Sequence, residues 1–422
     1  MQPSDETTKG ASQAGQLSQV SQTNRANRAN RTNQANQANQ ANQANQANQA
    51  NQANQANQAN QANQANQGPG KLARLREHLS PRTVTLLVSS LATLACGAVL
   101  FTLPVPYVLE TPGPTADTLG ERDGQELIQI DQAPSHPVTG QLLLTTVGAY
   151  GADPGSLSVI QLVKGYFDPD DALLPYDVLY PRDSTAEERE QLSAQQMESS
   201  QSTATAAAFH YLGLAVDVLV DDPQTDSAKA ALQTGDRLVS VAGTPISDYA
   251  DLKAVLAATE PGAPVDVVVE RAGRQVAVSV TTVRPDSGGG ALLGVTVAFD
   301  FPVEVKFGVA DIGGPSAGSM FALGIIDKLG DVDLAAGHVI AGTGTVDPAG
   351  VIGAIGGIEQ KMIAAKRDGA EVFLAPEANC AEVVGHEPPG LQVIKVASLD
   401  DAVAALADVA AGSAGDAPAC SP

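Results

Sequence analysis

Apolar and polar positions divide the chain into stretches of different character. From Asn24 to Gln67 the sequence repeats every three residues, first as Asn-Arg-Ala and then as Asn-Gln-Ala. Such a segment carries little apolar surface beyond alanine methyl groups, so it cannot offset the entropy lost on ordering. Residues 1–70 are therefore predicted to be a disordered low-complexity tail. Thr83 to Leu103 is the opposite case, an uncharged run rich in Leu, Val and Ala.

This apolar run has the length of a membrane span. At 1.5 Å per helical residue it extends for about 30 Å, the thickness of a bilayer core. Basic residues precede it and acidic residues follow it, so residues 71–104 are predicted to be a basic flank and a single transmembrane helix. The N-terminus would then be cytoplasmic and everything after Leu103 outside. A cleaved signal peptide is the alternative, disfavoured by the length of the run and its distance from the N-terminus. The basic residues are Lys71, Arg74, Arg76 and Arg82.

Residues 105–200 are predicted to be an extracytoplasmic connecting region of strands and helices. Val108 to Thr115 is rich in turn-forming residues, whereas Gln141 to Val147 has the apolar content of a buried strand. Ser184 to Leu212 favours helices, with Ser184 or Thr185 available as the N-cap.

Residues 201–285 show a different pattern, with short alternating runs separated by glycine turns. Asp248 to Ala258 is predicted to be an amphipathic helix, and two strands are predicted around Ala272-Gly273. The stretch Ala-Leu-Gln-Thr-Gly-Asp-Arg-Leu-Val-Ser-Val-Ala-Gly-Thr-Pro-Ile, residues 231–246, resembles a bacterial PDZ domain. The resemblance covers about 80 residues and implies a β-rich peptide-binding domain.

The PDZ resemblance also implies a peptide-binding loop. It places the receptor for a peptide carboxylate at Tyr211, Leu212, Gly213 and Leu214. Glycine would let successive N–H groups converge on the anion, and the edge of the following strand would accept an added peptide strand. A groove filled by the protein's own neighbouring segments is the alternative, because edge strands are often covered.

A serine near the start of an apolar stretch is the first candidate for catalysis. Ser316 lies in Gly313-Gly314-Pro315-Ser316-Ala317-Gly318, and the run after it suits a packed helix. At a helix N-terminus, N–H groups and the helix dipole can stabilise an oxyanion. A capping serine without chemistry is the alternative at this position.

The second candidate is a lysine on the apolar side of a helix. At 100° per residue, Ile358, Ala364 and Ala365 fall within about 60° of Lys361. Burial there would disfavour the ammonium form, so the neutral amine could act as a base. A lysine whose charged end reaches solvent from the helix edge is the alternative.

Taken together, these two elements resemble the proteolytic domain of Lon proteases over about residues 295–408. Gly-Pro-Ser-Ala-Gly is followed by Gly-Gly-Ile-x-x-Lys-x-x-Ala-Ala, and Thr343 precedes the lysine at the Lon interval. The resemblance implies Ser316 as nucleophile, Lys361 as general base and Thr343 as an orienting hydroxyl. Gly313 departs from the pattern, since Lon proteins commonly carry an aspartate there. The chain has no nucleotide-binding Gly-x-x-x-x-Gly-Lys-Ser/Thr loop, so no ATP-driven unfoldase is expected in it.

The whole arrangement resembles the YlbL-type membrane-anchored, PDZ-containing Lon-like serine proteases. The implied fold is α+β and multidomain, with the transmembrane helix, a PDZ domain at 201–285, a Lon-type α/β domain at 290–410 and a flexible tail at 411–422. The implied function is an ATP-independent serine endopeptidase acting on extracytoplasmic proteins. No cofactor or metal is expected. Two alternatives are a non-catalytic PDZ scaffold at the membrane and a protein that cleaves only itself.

Charge and cysteine content limit the classes of binding partner and of metal or disulfide site that are expected. The net charge of −23 is uneven, because residues 1–104 carry eight Lys/Arg and three Asp/Glu (+5), which leaves −28 for the remainder. An acidic surface argues against nucleic-acid binding. Protein or peptide substrates as partners, and a possible homo-oligomer, are what the resemblance to Lon and PDZ proteins implies. Cys96, Cys380 and Cys420 do not form a metal or disulfide pattern, although a Cys380–Cys420 bridge is possible in an oxidising compartment. His338 and His386 lie in no recognisable motif and are predicted to be ordinary surface residues.

Overall fold

The computed structural model describes residues 80–102, 105–122, 124–130, 136–151, 156–180, 184–285, 289–308, 312–413, 415 and 417–421. The predicted disordered tail, the basic residues before Ser80 and residues 286–288, between the two predicted domains, lie outside these residues. The chain divides into two compact units, Met1–Cys96 and Gly97–Pro422, and each is described by itself.

The described part of the first unit is helical. Helix α1 runs over Pro81–Thr102, close to the predicted apolar run. Its leucine side chains are exposed, as at Leu91 and Leu94, which are 69% and 71% accessible. By length and composition the stretch Pro81–Val99 could cross a membrane.

The second unit contains eighteen strands and nine helices among its described residues, besides the end of α1 from Gly97 and the 3₁₀ turn Glu377–Asn379. The strands are β1 Tyr107–Asp117, β2 Glu121–Arg122, β3 Gln125–Glu126, β4 Ile128–Ile130, β5 Gln141–Tyr150, β6 Ala172–Pro175, β7 Asp217–Pro223, β8 Arg237–Val241, β9 Thr244–Pro245, β10 Pro264–Arg271, β11 Arg274–Thr281, β12 Val295–Asp300, β13 Val305–Phe307, β14 Val339–Gly342, β15 Thr345–Val346, β16 Ile352–Gly353, β17 Val372–Pro376 and β18 Gln392–Val396. The helices are α2 Val159–Phe167, α3 Tyr176–Leu179, α4 Ala186–Tyr211, α5 Asp226–Ala231, α6 Tyr249–Ala257, α7 Gly318–Leu329, α8 Ile358–Arg367, α9 Cys380–Val383 and α10 Leu399–Ala410.

The structure has two six-stranded sheets, and the one that contains the longest strands, β1 and β5, is called the larger sheet. It is built from two separate parts of the sequence. Its strand order is β18-β17-β14-β5-β1-β6, with β14 parallel to both β17 and β5 and β1 antiparallel to both β5 and β6. Strands β1, β5 and β6 precede the PDZ-like segment, and the other three follow it. Residues 105–200 are therefore not the predicted connecting region, because they supply half of the strands of this sheet. Parallel pairing between distant segments leaves no local sequence pattern, which is why the prediction was wrong.

The turn-rich stretch Val108 to Thr115 is also different from the prediction. It lies within strand β1, and its register against β5 shifts between Pro112 and Thr115. A bulge of this kind accommodates proline and glycine within a strand. The turn formers therefore mark an irregular strand rather than a loop.

Helices cover both faces of the larger sheet. Along β14 and β17, alternate side chains enter two different cores, as the two-residue period of a strand requires. Leu374 joins the core that contains Phe209 of α4 and Phe321 of α7, whereas Phe373 joins the core that contains Met362 of α8. Helix α4 begins after Thr185, which forms a capping box with Glu188, so the predicted N-cap is confirmed.

The smaller sheet contains the PDZ-like segment. Its order is β11-β10-β8-β7-β12, with β9 paired to β8. The predicted helix is present as α6, with Asp248 as its N-cap, and the predicted strand pair is present as β10 and β11. Strand β12 lies beyond residue 285, where the PDZ domain was predicted to end. Phe299 of β12 packs against the core of this sheet and also against the core of the larger one.

The C-terminal residues are tied to the larger sheet. Cys420 forms a disulfide with Cys380, and the N–H of Lys395 in β18 donates a hydrogen bond to the carbonyl of Pro418. The prediction of a flexible tail at 411–422 is therefore wrong for the described residues near Cys420. The Cys380–Cys420 bridge, which the sequence analysis gave as one possibility, is present.

Candidate active site

Ser316 lies in the loop that leads into α7, two residues before the helix begins, so the predicted position at a helix N-terminus is confirmed. Gly314 has φ +83°, a left-handed conformation that favours glycine. Two serines of α4 hold this loop: the N–H of Gly314 donates to the carbonyl of Ser193 at 3.1 Å, and Oγ of Ser200 donates to the carbonyl of Pro315 at 3.1 Å.

The backbone carbonyl of Ser316 is held by two donors from one short segment. Oγ1 of Thr343 donates to it at 3.0 Å, and the N–H of Gly344 donates to it at 2.8 Å. The carbonyl of Gly344 in turn accepts the N–H of Ser319 at 3.0 Å. These bonds fix the serine loop against the residues that follow β14.

Lys361 is buried in the first half of α8, with only 3% of its surface accessible, so the predicted burial is confirmed. Its Nζ donates to Oγ1 of Thr343 at 3.2 Å. Burial lowers the pKa of Lys361 to about 8, while the negative charge of Glu110 acts in the opposite direction. A lysine with that pKa is partly neutral near physiological pH, as a general base requires.

A cavity of about 570 Å³ brings these groups together. Ser316, Ala317, Lys361 and Glu110 all line it. Among the described residues no hydrogen bond joins Ser316 directly to Lys361; Thr343 connects them, through the Lys361 amine on one side and the Ser316 carbonyl on the other. The three residues predicted for catalysis are therefore brought to one place.

The sequence did not single out Glu110 as part of this site. It lies in β1, and a Cβ atom added at Gly357, the N-cap of α8, would be 3.4 Å from its Oε2. Burial raises the pKa of Glu110, and the charge of Lys361 lowers it. A carboxylate at this position is favoured both by the ammonium and by the positive end of a helix. Glu110 could have been identified from the sequence only if β1 had been recognised as a strand of the larger sheet.

Two N–H groups at the serine are available for a developing negative charge. No hydrogen bond among the described residues uses the N–H of Ser316 or of Ala317. Both residues line the cavity. An oxyanion hole needs such groups, pointing into a site that is closed to bulk water.

The glycine that departs from the Lon pattern also lines the cavity. A Cβ atom added at Gly313 would clash with Oγ of Ser193, so a side chain at 313 requires Ser193 to move. In this chain the hydroxyl of Ser193 occupies the space in which an aspartate would begin.

The remaining candidate groups lie elsewhere. His338 pairs with Glu371 and His386 lies near Glu359, on the surface and away from the residues that line the cavity. Among the described residues, no group of three or more His, Cys, Asp or Glu side chains is arranged to hold a metal ion.

The predicted peptide-binding loop at Tyr211 to Leu214 has a different role in the structure. It terminates α4, and the N–H groups of Leu212, Gly213 and Leu214 donate to the carbonyls of Ala208, His210 and Phe209. These N–H groups cannot converge on a carboxylate while they cap the helix. Strand β7, which follows, is paired on both sides, to β8 and to β12. The structure therefore differs from the prediction both at the loop and at the strand edge.

Two family models match the chain. One describes the PDZ domain and matches residues 194–282. The other describes the Lon protease (S16) C-terminal proteolytic domain and matches residues 265–407. The two matches overlap at 265–282, residues that form β10 and β11 of the smaller sheet.

Curated relatives match the same two regions. The archaeal Lon protease of Methanocaldococcus jannaschii is 39% identical over 107 residues, covering 25% of this chain and 16% of that protein. The Lon protease of Azospirillum brasilense is 33% identical over 105 residues, covering 24% and 13%. The periplasmic pH-dependent serine endoprotease DegQ of Escherichia coli is 33% identical over 78 residues, covering 18% and 17%. The chain thus spans about a sixth or less of the length of these relatives.

Solved structures show short matches. The PDZ domain of an SdrC-like protein from Listeria monocytogenes is 17% identical, covers 19% of this chain and 85% of its own, and has a TM-score of 0.18. The corresponding domain from Listeria innocua is 16% identical, with coverages of 19% and 92% and the same TM-score of 0.18. From the family models and curated relatives, the chain contains a PDZ domain and a Lon-type C-terminal proteolytic domain.

Proposed function

We propose that this chain is an ATP-independent, membrane-anchored serine endopeptidase that cleaves extracytoplasmic proteins with a Ser316–Lys361 dyad. The observation that carries the proposal is the position of Lys361. A buried lysine with a pKa of about 8 shares a cavity with a serine at a helix N-terminus, and Thr343 connects the two. A purely structural lysine would gain nothing from such burial, because the ammonium loses its hydration there.

The first chemical step is acylation. Neutral Lys361 accepts the proton of the Ser316 hydroxyl as its oxygen attacks the peptide carbonyl, and the N–H groups of Ser316 and Ala317 stabilise the oxyanion. For this the amine turns from Thr343 towards Ser316, since hydrogen bonds in a substrate-free site often tighten only when substrate is bound. Lys361 then returns the proton to the leaving amine. Water, activated by the same amine, releases the acyl group.

Three observations support an anchored protein with its catalytic part outside the cytoplasm. Helix α1 has the length and composition of a membrane span. Basic residues precede it and acidic residues follow it. The bridge between Cys380 and Cys420 is a bond that persists in oxidising compartments and is rare in the cytosol.

Proteins or peptides are the substrate class that fits the two domains. An opening of about 570 Å³ admits an extended segment rather than a folded domain. The chain has no nucleotide-binding loop, so unfolding would have to come from the substrate itself. We therefore propose accessible or loosely folded segments as the sites of cleavage.

Incubation of the purified full chain, in detergent or nanodiscs, with an unfolded protein tests this function. Wild type is expected to release peptides, and Ser316→Ala to release none while keeping the same melting temperature. Absence of cleavage by wild type, or full cleavage by Ser316→Ala, would favour the scaffold alternative. Mixing wild type with Ser316→Ala distinguishes self-processing, because cleavage of the inactive chain in trans requires an active site open to other molecules.

A further inference from the structure

Helix α2 carries an apolar surface on the side that faces away from its sheet. At 100° per residue, Ile160, Val163 and Phe167 fall within about 60° of one another, and all three side chains are exposed. Gly165 lies on the opposite side of the helix, where an added Cβ atom would clash with the side chain of Leu109 in β1. The glycine therefore brings α2 close to the sheet, and the apolar side of the helix points outward.

Two tyrosines of the sheet extend this surface. Side chains alternate between the two faces of a strand, so Tyr107 lies on the same face of β1 as Leu109. Tyr150 of β5 is the cross-strand partner of Leu109 and shares that face. Both tyrosine side chains are exposed. The surface, here called the aromatic patch, consists of Tyr107, Tyr150, Ile160, Val163, Tyr166 and Phe167.

The patch contains most of the exposed aromatic residues that the structure describes. Among the described side chains five aromatic ones are exposed, and Tyr211 at the end of α4 is the only one of them outside the patch. Tyr166 and Phe167 are 74% and 78% accessible, and their rings contact each other edge to face with centroids 5.2 Å apart. An exposed apolar patch of this kind marks a contact with a protein or a membrane. Tyrosine favours the boundary between lipid and water, because its ring is apolar and its hydroxyl is polar.

The place of the patch in the sequence favours the membrane over a protein. Tyr107 begins β1 and follows Leu103, the last residue of the proposed span, by only four residues. Four residues extend for at most about 14 Å, so the start of β1 cannot lie further than this from the bilayer. A partner protein would have to cover a surface that the chain itself keeps next to lipid.

The charges around the patch indicate which force would hold it. Lys164 is exposed about 40° around the helix from Ile160, so its stem can lie along the apolar surface while its amine reaches a lipid phosphate. Asp168, Asp170 and Asp171 follow the helix and would be repelled by anionic lipid. Burial of apolar surface is therefore the main contribution, and a bilayer without net charge is sufficient.

We propose that the aromatic patch docks into the interface of the bilayer that α1 spans. Its side chains lie at the level of the headgroups and the upper acyl chains, and α2 lies along the membrane surface. The second unit is then held at two points, by its anchor and by the patch, which fixes its orientation. Glu110, which lines the catalytic cavity, follows Tyr107 by three residues, about 10 Å along a strand. Docking therefore holds the catalytic cavity close to the membrane.

This inference rests on the proposed anchoring but not on the proposed catalysis. The chain contains no tryptophan, so a single introduced tryptophan reports only on its own surroundings. Three variants of the full Ser316→Ala chain are placed in phosphatidylcholine nanodiscs, with one chain in each disc. They are Phe167→Trp in the patch, Leu91→Trp in α1 and Tyr211→Trp at the end of α4. Fluorescence is compared between ordinary discs and discs with brominated acyl chains, since bromine quenches a tryptophan that contacts the lipid.

Brominated lipid is expected to lower the emission of Phe167→Trp and of Leu91→Trp at least about twofold and to leave that of Tyr211→Trp unchanged. Adding Ile160→Asp and Val163→Asp to the Phe167→Trp chain is expected to remove most of the quenching, because carboxylates stay in water. Val332→Asp with Val351→Asp is the matched control and should retain the quenching. All four positions are exposed, so the melting temperatures should agree.

Quenching of Leu91→Trp without quenching of Phe167→Trp would overturn this inference and leave the anchoring intact. Absence of quenching in both would instead contradict the proposed membrane span, and the inference with it. Equal quenching of Tyr211→Trp, or quenching that survives both aspartates in α2, would show that the contact is not made by the patch. A Phe167→Trp chain that is shielded from iodide but not quenched by brominated lipid would mean that protein covers the patch, which also rules out the proposal.

Discussion

Nζ of Lys361 donates a hydrogen bond to Oγ1 of Thr343 at 3.2 Å, and the same hydroxyl donates to the carbonyl of Ser316 at 3.0 Å. One oxygen therefore positions the amine of the proposed base and the backbone of the proposed nucleophile. Thr343 is itself buried, so water does not replace the hydroxyl when it is removed. The first prediction concerns this residue.

Replacing Thr343 with valine is expected to lower kcat by about 10- to 100-fold with little change in KM. Valine keeps the shape but loses the hydroxyl, and loosening two positioned groups costs about 1.4–2.8 kcal/mol of transition-state stabilisation. Thr343→Ser should recover most of the rate. Thr345→Val, the same change two residues later, serves as the control. Equal losses at both positions would mean that the effect is one of folding.

The rate of peptide cleavage is expected to rise with pH through about 8. The proposed base must be neutral, and burial lowers the pKa of Lys361 to about 8. Below this pH, kcat/KM should fall about tenfold for each unit, because the fraction of neutral amine falls in that proportion. Measurement from pH 5.5 to 9.5 checks this. A profile that is flat across that range would exclude Lys361 as the titrating base.

Glu110→Gln is expected to move the midpoint of that profile to lower pH. The negative charge of Glu110 raises the pKa of Lys361 against the effect of burial, so its removal should lower that pKa. Glutamine keeps the size of the side chain. Glu371→Gln, at an exposed carboxylate that pairs with His338, is the control and should leave the midpoint in place. A midpoint that stays or rises in Glu110→Gln would contradict the assigned role.

Lys361→Met is expected to abolish cleavage and raise stability at neutral pH. A shift from 10.5 to about 8 corresponds to a cost of up to about 3 kcal/mol for burying the charged amine. Because the folded-state pKa is the lower one, the cost is complete below about 8 and disappears as pH rises towards 10.5. Chemical denaturation should show that the variant has a higher free energy of unfolding than wild type at pH 7. The difference should be smaller at pH 10. A Lys361→Met variant that is less stable than wild type at pH 7 would contradict the proposed cost of burying the charged amine.

The double variant Cys380→Ser/Cys420→Ser is expected to unfold at a lower temperature. The two cysteines lie 40 residues apart, and closing a loop of that size stabilises a fold by up to about 4 kcal/mol. A reducing agent should bring wild type to the same melting temperature and leave the variant unchanged. In intact cells the pair should resist thiol labelling before reduction. Labelling without reduction would place this part of the chain in the cytoplasm.

The sequence was most informative where chemistry has a local signature. Lys361 was identified from the helical positions of Ile358, Ala364 and Ala365, and all of these residues are buried as that pattern required. An N-cap at Ser184 or Thr185 and helix α6 were predicted for the same reason. A pattern confined to a few turns of chain is a property of the sequence itself.

The sequence failed where partners are far apart along the chain. Gln141 to Val147 was recognised as a strand, but its parallel neighbour β14 begins at Val339. No pattern in the intervening sequence indicates that these two strands pair. Glu110 was missed as a site residue for this reason. The glycine pattern at Leu212-Gly213 was predicted to bind a carboxylate, which requires N–H groups that are not already hydrogen-bonded. Only the structure shows that these N–H groups are bonded.

The order of the strands in the larger sheet has a consequence for synthesis. Strands β1, β5 and β6 leave the ribosome before the PDZ domain. Strand β14, which pairs with β5, and the helix that carries Lys361 come more than 110 residues after β7. Non-local pairing of this kind cannot form until the later partner exists. The proposed nucleophile Ser316 is also not held in place until Thr343, which follows β14, has been made. A chain still being made therefore lacks the proposed base until Lys361 has been added, and under the proposed function it is a proenzyme without a propeptide.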